Sequence, residues 1–538
     1  MDFQSYAYGK NHWLLEPDLR PILARCWPDL PQHEPELSAF GLLVGGRAYE
    51  VADWVDRCAP PELVMHDLDG LRVDRARLDP AHVRLLQDLA FINRPPYTGG
   101  SWLHHFALGF LLADPGLYCT LIVTNQTAYA IYKYAPEHSA WLEKLLAGQA
   151  WGATWMSETQ GGSDLGANAT IALMEGGAWR LYGEDKYFAS NAGLADLAVV
   201  TARPQGAPPG PKGLALFLVP RLDEQEKLNY TVRRFKRKSA TRAVPTGEVE
   251  FRGSLAYLVG QAELGIYYTL ENLTVSRLAN AVGAIGLARK AHLEALFRVQ
   301  ARSAFGKTLA EHPLVRYDLT DLAVRTAGGL ALAFHAIQAF DRAWSERPPY
   351  TSAYHYARFL SHLAKNRTAD HAAHCTQLAM ELFGGVGFME DFAVSRLHRE
   401  ALVTALWEGT SNIQALDMLE AMQKKGAHEP FLDEFLPLLS DGSSPAVKPA
   451  AKLAREVLQK SLAELATLPP AQAQWHAKHA LARLADAAQV ALLLALAEVG
   501  GERYARLADL YAHHFLAGEA YPAWALDDPL VWWSLFDE

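Results

Sequence analysis

At 538 residues, half of them apolar and a fifth charged, the sequence is too long for one ordinary core and has the balance of a globular protein of three or four domains. A net charge of −10, from 50 Lys and Arg against 60 Asp and Glu, removes any general reason to expect a polyanion partner, so nucleic acid would need a local basic patch. Cys26, Cys58, Cys119 and Cys375 lack metal-type or paired spacing, which argues against a disulfide framework and for free thiols in a reducing cytoplasm.

The opening stretch "MDFQSYAYGKNHWLLEPDL" has no basic segment followed by an apolar run, so no signal peptide is expected. Residues 1–150 read as an N-terminal helical domain broken by Pro-containing loops such as "APPEL" and "NRPPYTGG". Near Trp151 the texture changes to short runs rich in Val, Tyr, Phe and Leu with Gly, Pro and Asp between them, which predicts a central antiparallel β domain over 151–262. From about Tyr267 apolar residues return at helical spacing, predicting a C-terminal helical bundle over 263–425. The polar break "LSDGSSPAVKP" then leads into a helical extension, 426–538. Its apolar stretch "AAQVALLLALA" (Ala487 to Ala497) is too short for a membrane span and reads as a core helix.

The motifs are individually ambiguous. No G-x-G-x-x-G follows a strand and opens a helix, and "ARSAFGKT" imitates a phosphate loop without its first glycine or a preceding strand. In "DHAAHC", His371 and His374 share a helix face, but no second ligand pair with zinc spacing appears, so no metal site is expected. "WMSETQGGSD" has two glycines that let backbone approach a flat ligand, and a capped turn is its ordinary reading. "DKYFASN" sets Phe188 and Ser190 on one side of an extended segment, where a ring and a hydroxyl could meet a flavin or could belong to a plain strand. In "RSAFGK", Arg302 suits a phosphate pair and Phe305 a purine, although such a group, taken alone, is more often just the end of a helix. "LWEGTSNIQ" puts Glu408 between an indole and a glycine. Burial would raise its pKa and make it a competent base, whereas exposure would leave a helix-start acid, and spacing does not choose.

Taken together and in order, "MSETQGGSD", "DKYFASN", "SRLANAVGAIGLA", "RSAFGKTLAEHPL", "ELFGGVGF" and "WEGTSNIQ" resemble the acyl-CoA dehydrogenase family over about residues 150 to 425. The resemblance implies an α+β multidomain fold with a helical domain, a β domain and a four-helix bundle, here carrying an extra helical extension. It also implies non-covalent FAD, an acyl-CoA-type thioester as substrate, and Glu408 as the base that takes the α-proton while the β-hydrogen leaves as hydride to the flavin. Carried over position by position, Met156, Ser157, Phe188, Ala189 and Ser190 resemble the flavin-ring residues. Ser163 matches a serine near both cofactor and substrate, and Arg277 a substrate-side residue. Arg302, Phe305, Gly384 and Gly385 resemble the pyrophosphate and adenine side, with Thr410 and Asn412 closing the cofactor site. Such shared sites imply a homo-oligomer, a tetramer built from dimers, with an electron-transfer flavoprotein as electron acceptor.

Departures accompany the match. Pro313 and Glu381 stand where many relatives have Gln, and Thr274 where some place an Asp toward coenzyme A. Ser276 occupies the position where a minority branch keeps its base, which leaves Glu408 as the matching carboxylate. Length, extension and "PPELVMHDLDGLRVD" resemble the adaptive-response, AidB-type branch, which implies an alternative: an alkylation-stress flavoprotein with weak dehydrogenase activity and DNA binding. Residues 429–538 hold 8 Lys and Arg against 15 Asp and Glu, a balance of −7, which disfavours DNA and favours a packing role for the extension.

Overall fold

The structure, a computed structural model, describes residues 5–440, 448–528 and 531. Most of the polar break before the extension, residues 441–447, lies outside them. The chain divides into two units, one of residues 5–49, Trp102–Ala113 and Arg277–Glu538, the other of Glu50–Ser101 and Asp114–Ser276.

The second unit is built on a sheet of seven strands: β3 (Gly152–Trp155), β4 (Ile171–Glu175), β5 (Ala178–Ala189), β6 (Leu197–Pro204), β7 (Ala215–Pro220), β8 (Thr231–Phe235) and β9 (Gly247–Leu258). The path β6, β4, β5, β9, β7 returns to β6, so the sheet closes on itself. Most pairings are antiparallel as the texture predicts, but β6 pairs in parallel with both β3 and β4. Strand β7 shows why the run is apolar throughout. Ala215, Phe217 and Val219 enter one core with Trp155, Val200, Val232 and Phe251, while Leu216 and Leu218, with Leu214 just before the strand, pack on the other face with Ile131, Tyr134 and Leu145.

In the stretch read as wholly helical, a hairpin intervenes, β1 (Glu62–His66) with β2 (Arg72–Arg77). Its turn explains it: Asp67 accepts from the backbone of Asp69 and Leu71 at 3.0 and 2.8 Å, and Gly70 takes φ +80°. The hairpin is fastened to the sheet by Asp74, which accepts from the Val232 amide at 2.8 Å, and by Arg221, which donates to Val73 O at 2.6 Å.

The first unit is helical. Helix Trp102–Leu112 is buried along its whole length, and its first amide is capped by Asp341 at 2.7 Å. Helices Leu30–Gly45 and Pro313–Ala343 and the later part of Gly265–Ala301 pack on it, and Ser352–Phe383 packs on Pro313–Ala343. The extension contributes Lys448–Thr467, Pro470–Gly500 and Glu502–Tyr511. Pro470–Gly500 is long and apolar enough to cross a membrane, yet 83% of its most apolar window is buried within the protein. A polar seam locks it to the bundle: Arg367 grips Asp486 through two bonds of 2.6 and 3.0 Å, and Tyr511 donates to Asp486 at 2.8 Å.

Candidate functional site

In the sheet unit, "MSETQGGSD" and "DKYFASN" come together. The Tyr187 amide donates to Ser157 O at 2.9 Å, and Trp155 Nε1 donates to Ser190 O at 2.8 Å. Beneath them a buried ion pair fastens one motif to the other, with Lys186 Nζ 2.7 Å from Glu158 Oε1. Glu158 also accepts from the Ala169 amide at 2.6 Å and the Thr170 hydroxyl at 2.6 Å. Burial alone would raise the Glu158 pKa, but Lys186 and these donors outweigh it and hold the carboxyl below its ordinary range. Sequence reading quoted both residues without assigning them, although two opposite charges inside two apolar-flanked motifs were the available signal.

The side chains above this pair are graded in exposure. Met156 and Ala189 are buried, Ser157 and Ser190 half-buried, Ser163 exposed, and Phe188 is 56% exposed. Strand β5 ends at Ala189, so Ser190 stands in the turn, where its hydroxyl is 3.4 Å from Thr154 O. Thr154 Oγ1 is buried without a hydrogen-bond partner among the described residues. At Gly162 a Cβ would sit 2.2 Å from Ser157 Oγ, and Gly161 has φ +133°, so the loop needs its two glycines.

In the helical unit, Glu408 lies in the turn after helix Ala393–Thr404 and before helix Ser411–Lys425. Its φ is +58°, a left-handed conformation that a non-glycine residue holds only when its surroundings impose it. They do. The Glu408 carbonyl accepts from Arg277 Nε at 3.2 Å and Gln414 Nε2 at 2.8 Å, and the Gly409 carbonyl accepts from Lys365 Nζ at 2.8 Å and Gln414 Nε2 at 3.0 Å. Thus three buried side chains from three helices fix two consecutive peptide groups. Gln414 is itself oriented: since its nitrogen donates to the turn, its Oε1 accepts from His362 Nδ1 at 2.8 Å, which places the proton on Nδ1.

The arginines around this turn are paired with carboxylates. Arg277, 3% exposed, pairs with Asp417 at 3.1 Å, and Arg358 pairs with Glu420 at 2.9 Å. Burial pushes the Lys365 amine down to about 8, while the nearby Glu408 carboxylate acts in the opposite sense. Burial, reinforced by Arg277, drives His362 down to about 3 and keeps it neutral. Arg277 Nη1 is a buried donor with no hydrogen-bond partner among the described residues. The Trp407 indole donates to Asn280 Oδ1, and Asn280 donates to Thr404 O at 3.0 Å, so the indole beside Glu408 is also fixed. Thr410 occupies the N-cap of the next helix without a side-chain capping bond, and both Thr410 and Asn412 are exposed. Glu408 is therefore a half-buried residue of a locked turn rather than a solvated helix-start acid.

The remaining site residues group elsewhere in the same unit. After helix Gly265–Ala301, Ser303–Ala304 (β10) and Lys307–Thr308 (β11) form a minimal hairpin whose turn residues Phe305 and Gly306 have φ +52° and +84°. This hairpin replaces the strand-loop-helix order that a phosphate loop requires. Arg302 donates to Phe383 O at 3.4 Å, which sets it beside Gly384 and Gly385 at the end of helix Ser352–Phe383. A Cβ on Gly385 would meet nothing within 4 Å, and one on Gly384 only Arg302 Nη1 at 3.8 Å, so this edge is open. Phe305 is 95% exposed. An open backbone edge with a guanidinium and a free aromatic face suits a phosphate-linked aromatic ligand, and the half-buried hydroxyls of the sheet unit suit ring heteroatoms.

Other sequence-singled residues have structural partners. His371 meets Gln489 and Tyr511 at 3.2 and 3.0 Å, and His374 meets Asp321 at 2.6 Å, so the pair does not converge on a metal. The Ser276 hydroxyl donates to Leu273 O at 3.1 Å and that of Thr274 to Leu270 O at 3.0 Å. Pro313 opens helix Pro313–Ala343, and Glu381 is exposed. A cavity of about 260 Å³ lined by Ile22, Cys26, Phe334, His335, Arg342 and Glu434 among others contains no motif residue.

Residues 153–254 match the family model for the acyl-CoA dehydrogenase middle domain, and residues 263–423 that for the acyl-CoA dehydrogenase C-terminal domain. The chain belongs to the acyl-CoA dehydrogenase family. Within it, the chain is 30% identical over 400 residues to the Escherichia coli K12 protein named "Putative acyl-CoA dehydrogenase AidB", covering 70% of this chain and 71% of that one. It is 31% identical over 311 residues to acyl-CoA dehydrogenase family member 11 of Caenorhabditis elegans, covering 56% of this chain and half of that relative. The crystal structure of Caenorhabditis elegans ACDH-11 in complex with C11-CoA shares the fold at a TM-score of 0.85 and 24% identity, over 97% of this chain and 94% of that one.

Proposed function

We propose that this protein dehydrogenates an acyl-CoA-type thioester between Cα and Cβ, with Glu408 as the base that removes the α-proton. As a member of its family the protein is an FAD-dependent oxidoreductase, and bound FAD supplies the hydride acceptor. The observation that carries the assignment of Glu408 is its locked turn. A base contributes most when its position is set before substrate arrives, and here Arg277, Gln414 and Lys365 set the backbone while leaving the carboxylate half-buried. The Glu408 backbone N–H is assigned to the thioester oxygen, where enolate charge develops.

Met156, Ser157, Ala189 and Ser190 would hold the flavin ring edge, with Phe188 against its face and Ser163 toward the substrate's phosphate portion. Arg302, Phe305, Gly384 and Gly385 would hold the pyrophosphate and adenine, and Thr410 and Asn412 would close the site. Arg277 acts on substrate through the Glu408 turn, with its buried Nη1 as a further donor. The exposed ring of Phe305 supports a homo-oligomer, read as a tetramer, in which a second copy completes this part of the site. The electron acceptor we assign is an electron-transfer flavoprotein; rapid peroxide release in air would instead mark an oxidase.

The alternative, an alkylation-stress flavoprotein that binds DNA, is supported by the similarity to AidB. Charge argues against the DNA part. In the extension Arg503 is paired with Asp18, Arg506 with Glu502 and Asp528, Lys452 with Glu456 and Lys460 with Glu464, so at these four cations a carboxylate competes with phosphate. Duplex DNA retention at low salt measures this directly, and saturable, salt-sensitive binding would favour the alternative. For the dehydrogenase reading, the test is anaerobic bleaching of the flavin absorbance by a panel of acyl-CoAs, lost in Glu408→Gln.

A further inference from the structure

We propose that His33, Glu36 and His104 form a binding site for one divalent transition metal ion of the zinc class, which joins helix Leu30–Gly45 to helix Trp102–Leu112 within the helical unit. His33 and Glu36 stand three apart on the first helix, so both project from one face, and His104 reaches them from the second. Ligand atoms of the three lie within 4.8 Å of one another. Two of the separations are closer, 3.3 Å from His104 Nε2 to Glu36 Oε2 and 3.6 Å from His33 Nδ1 to the same oxygen. Ligands bonded tetrahedrally at about 2.0 to 2.1 Å stand roughly 3.3 Å apart, so little movement is needed to seat an ion.

A second observation points the same way. His104 is 5% exposed, and its buried Nε2 faces only Glu36 Oε2, 3.3 Å away, as an imidazole–carboxylate pair. As a plain pair, this contact requires a proton on that nitrogen. A metal satisfies it without a proton. Both imidazoles are held by the indole of Trp27, stacked on His33 with centroids 4.9 Å apart and tilted against His104 at 5.1 Å. The half-exposed His33 and Glu36 give the ion a path from solvent, and two imidazoles with one carboxylate are a borderline-soft set that selects zinc-class ions over Mg²⁺ or Ca²⁺. The trio is not legible in the sequence, because its third member is far along the chain and none of the usual ligand spacings occurs.

The test uses the full-length FAD-loaded protein, stripped with chelator and titrated with Zn²⁺ by calorimetry and with Co²⁺ by visible absorption. We expect one equivalent of each, intense d–d bands typical of low coordination number, and a raised melting temperature. Glu36→Gln and His33→Ala, both at half-exposed positions, should weaken binding at least tenfold while the circular dichroism spectrum and FAD content stay unchanged. His513→Ala, at a half-buried histidine beside Glu519, should bind as the unaltered protein does. Absence of saturable binding, or equal affinity in both ligand variants, would overturn the proposal.

Discussion

Two parts of the helical unit differ in how firmly they are built. The Glu408 turn is held by three buried side chains donating four hydrogen bonds to two carbonyls, and one of those side chains is oriented by a buried neutral imidazole. The Ser303–Thr308 hairpin has a 95% exposed phenylalanine at its tip, and beyond its own strand pairing it is held by His312 Nε2 at 3.1 Å from Ala304 O, with one 3.4 Å bond from the preceding Arg302. Chemistry that depends on where one carboxylate stands needs a turn whose geometry precedes the ligand. A surface that grips a large cofactor can stay open until the cofactor, or a second copy of the chain, covers it.

Substitutions can break this contrast, beginning with the largest effect. Arg277→Met leaves Asp417 without its closest cation and releases the Glu408 carbonyl, so we expect a loss of about 3 kcal/mol or more in chemical denaturation. A loss below about 1 kcal/mol would mean that the clamp is ornamental. Next comes acid. Buried His362 is protonated only near 3 in the folded protein, whereas the unfolded chain takes up that proton near 6.5, so its contribution is complete above about pH 6.5 and drains away as pH falls toward 3. The melting temperature should therefore fall between about pH 7 and 5. Burial also lowers His12 to about 3 and His82 to about 4, so His362→Asn should lessen that dependence rather than remove it; an unchanged slope would assign it to those groups.

Gly409→Ala probes the turn itself. Gly409 has φ +95°, and a Cβ would stand 2.8 Å from Gln414 Nε2, so a cost of about 1 to 3 kcal/mol is expected. Flavin reduction should slow while FAD content stays at the unaltered level. At the open hairpin the expectation reverses. The paired change Arg302→Ala with Phe305→Ser should alter stability by no more than about 0.5 kcal/mol, because both side chains are exposed. It should nevertheless lower FAD retention on gel filtration and the mass seen by light scattering. If stability falls and FAD stays, the two regions have been assigned the wrong way round.

Much of this was legible in the sequence because the motifs are local. The change of texture near Trp151 marks the first sheet strand, and the ordered motifs point to the family. What escaped is what distant residues make together. The hairpin β1–β2 carries its own signal, an Asp-containing turn closed by Gly70, but its neighbours on both sides have helical texture. The parallel pairings of β6 depend on which strands the closed sheet brings side by side, and local alternation is silent on that. Glu158 and Lys186 sit inside quoted motifs, yet only the packing of two segments shows them as one buried pair. The same holds at the base. Glu408 could be singled out, but Lys365, His362 and Gln414 look like ordinary helix residues until three helices meet at one turn.

The central claim, that Glu408 is the base of a thioester dehydrogenase, is tested most directly by anaerobic stopped-flow reduction of the FAD-loaded protein with a series of acyl-CoAs, comparing the unaltered chain with Glu408→Gln. The account predicts substrate-dependent bleaching of the flavin, slowed by about a hundredfold or more in the variant while the oxidised flavin spectrum is retained. Bleaching at the same rate in both proteins, or none with any acyl-CoA in a fully FAD-loaded sample, would contradict it.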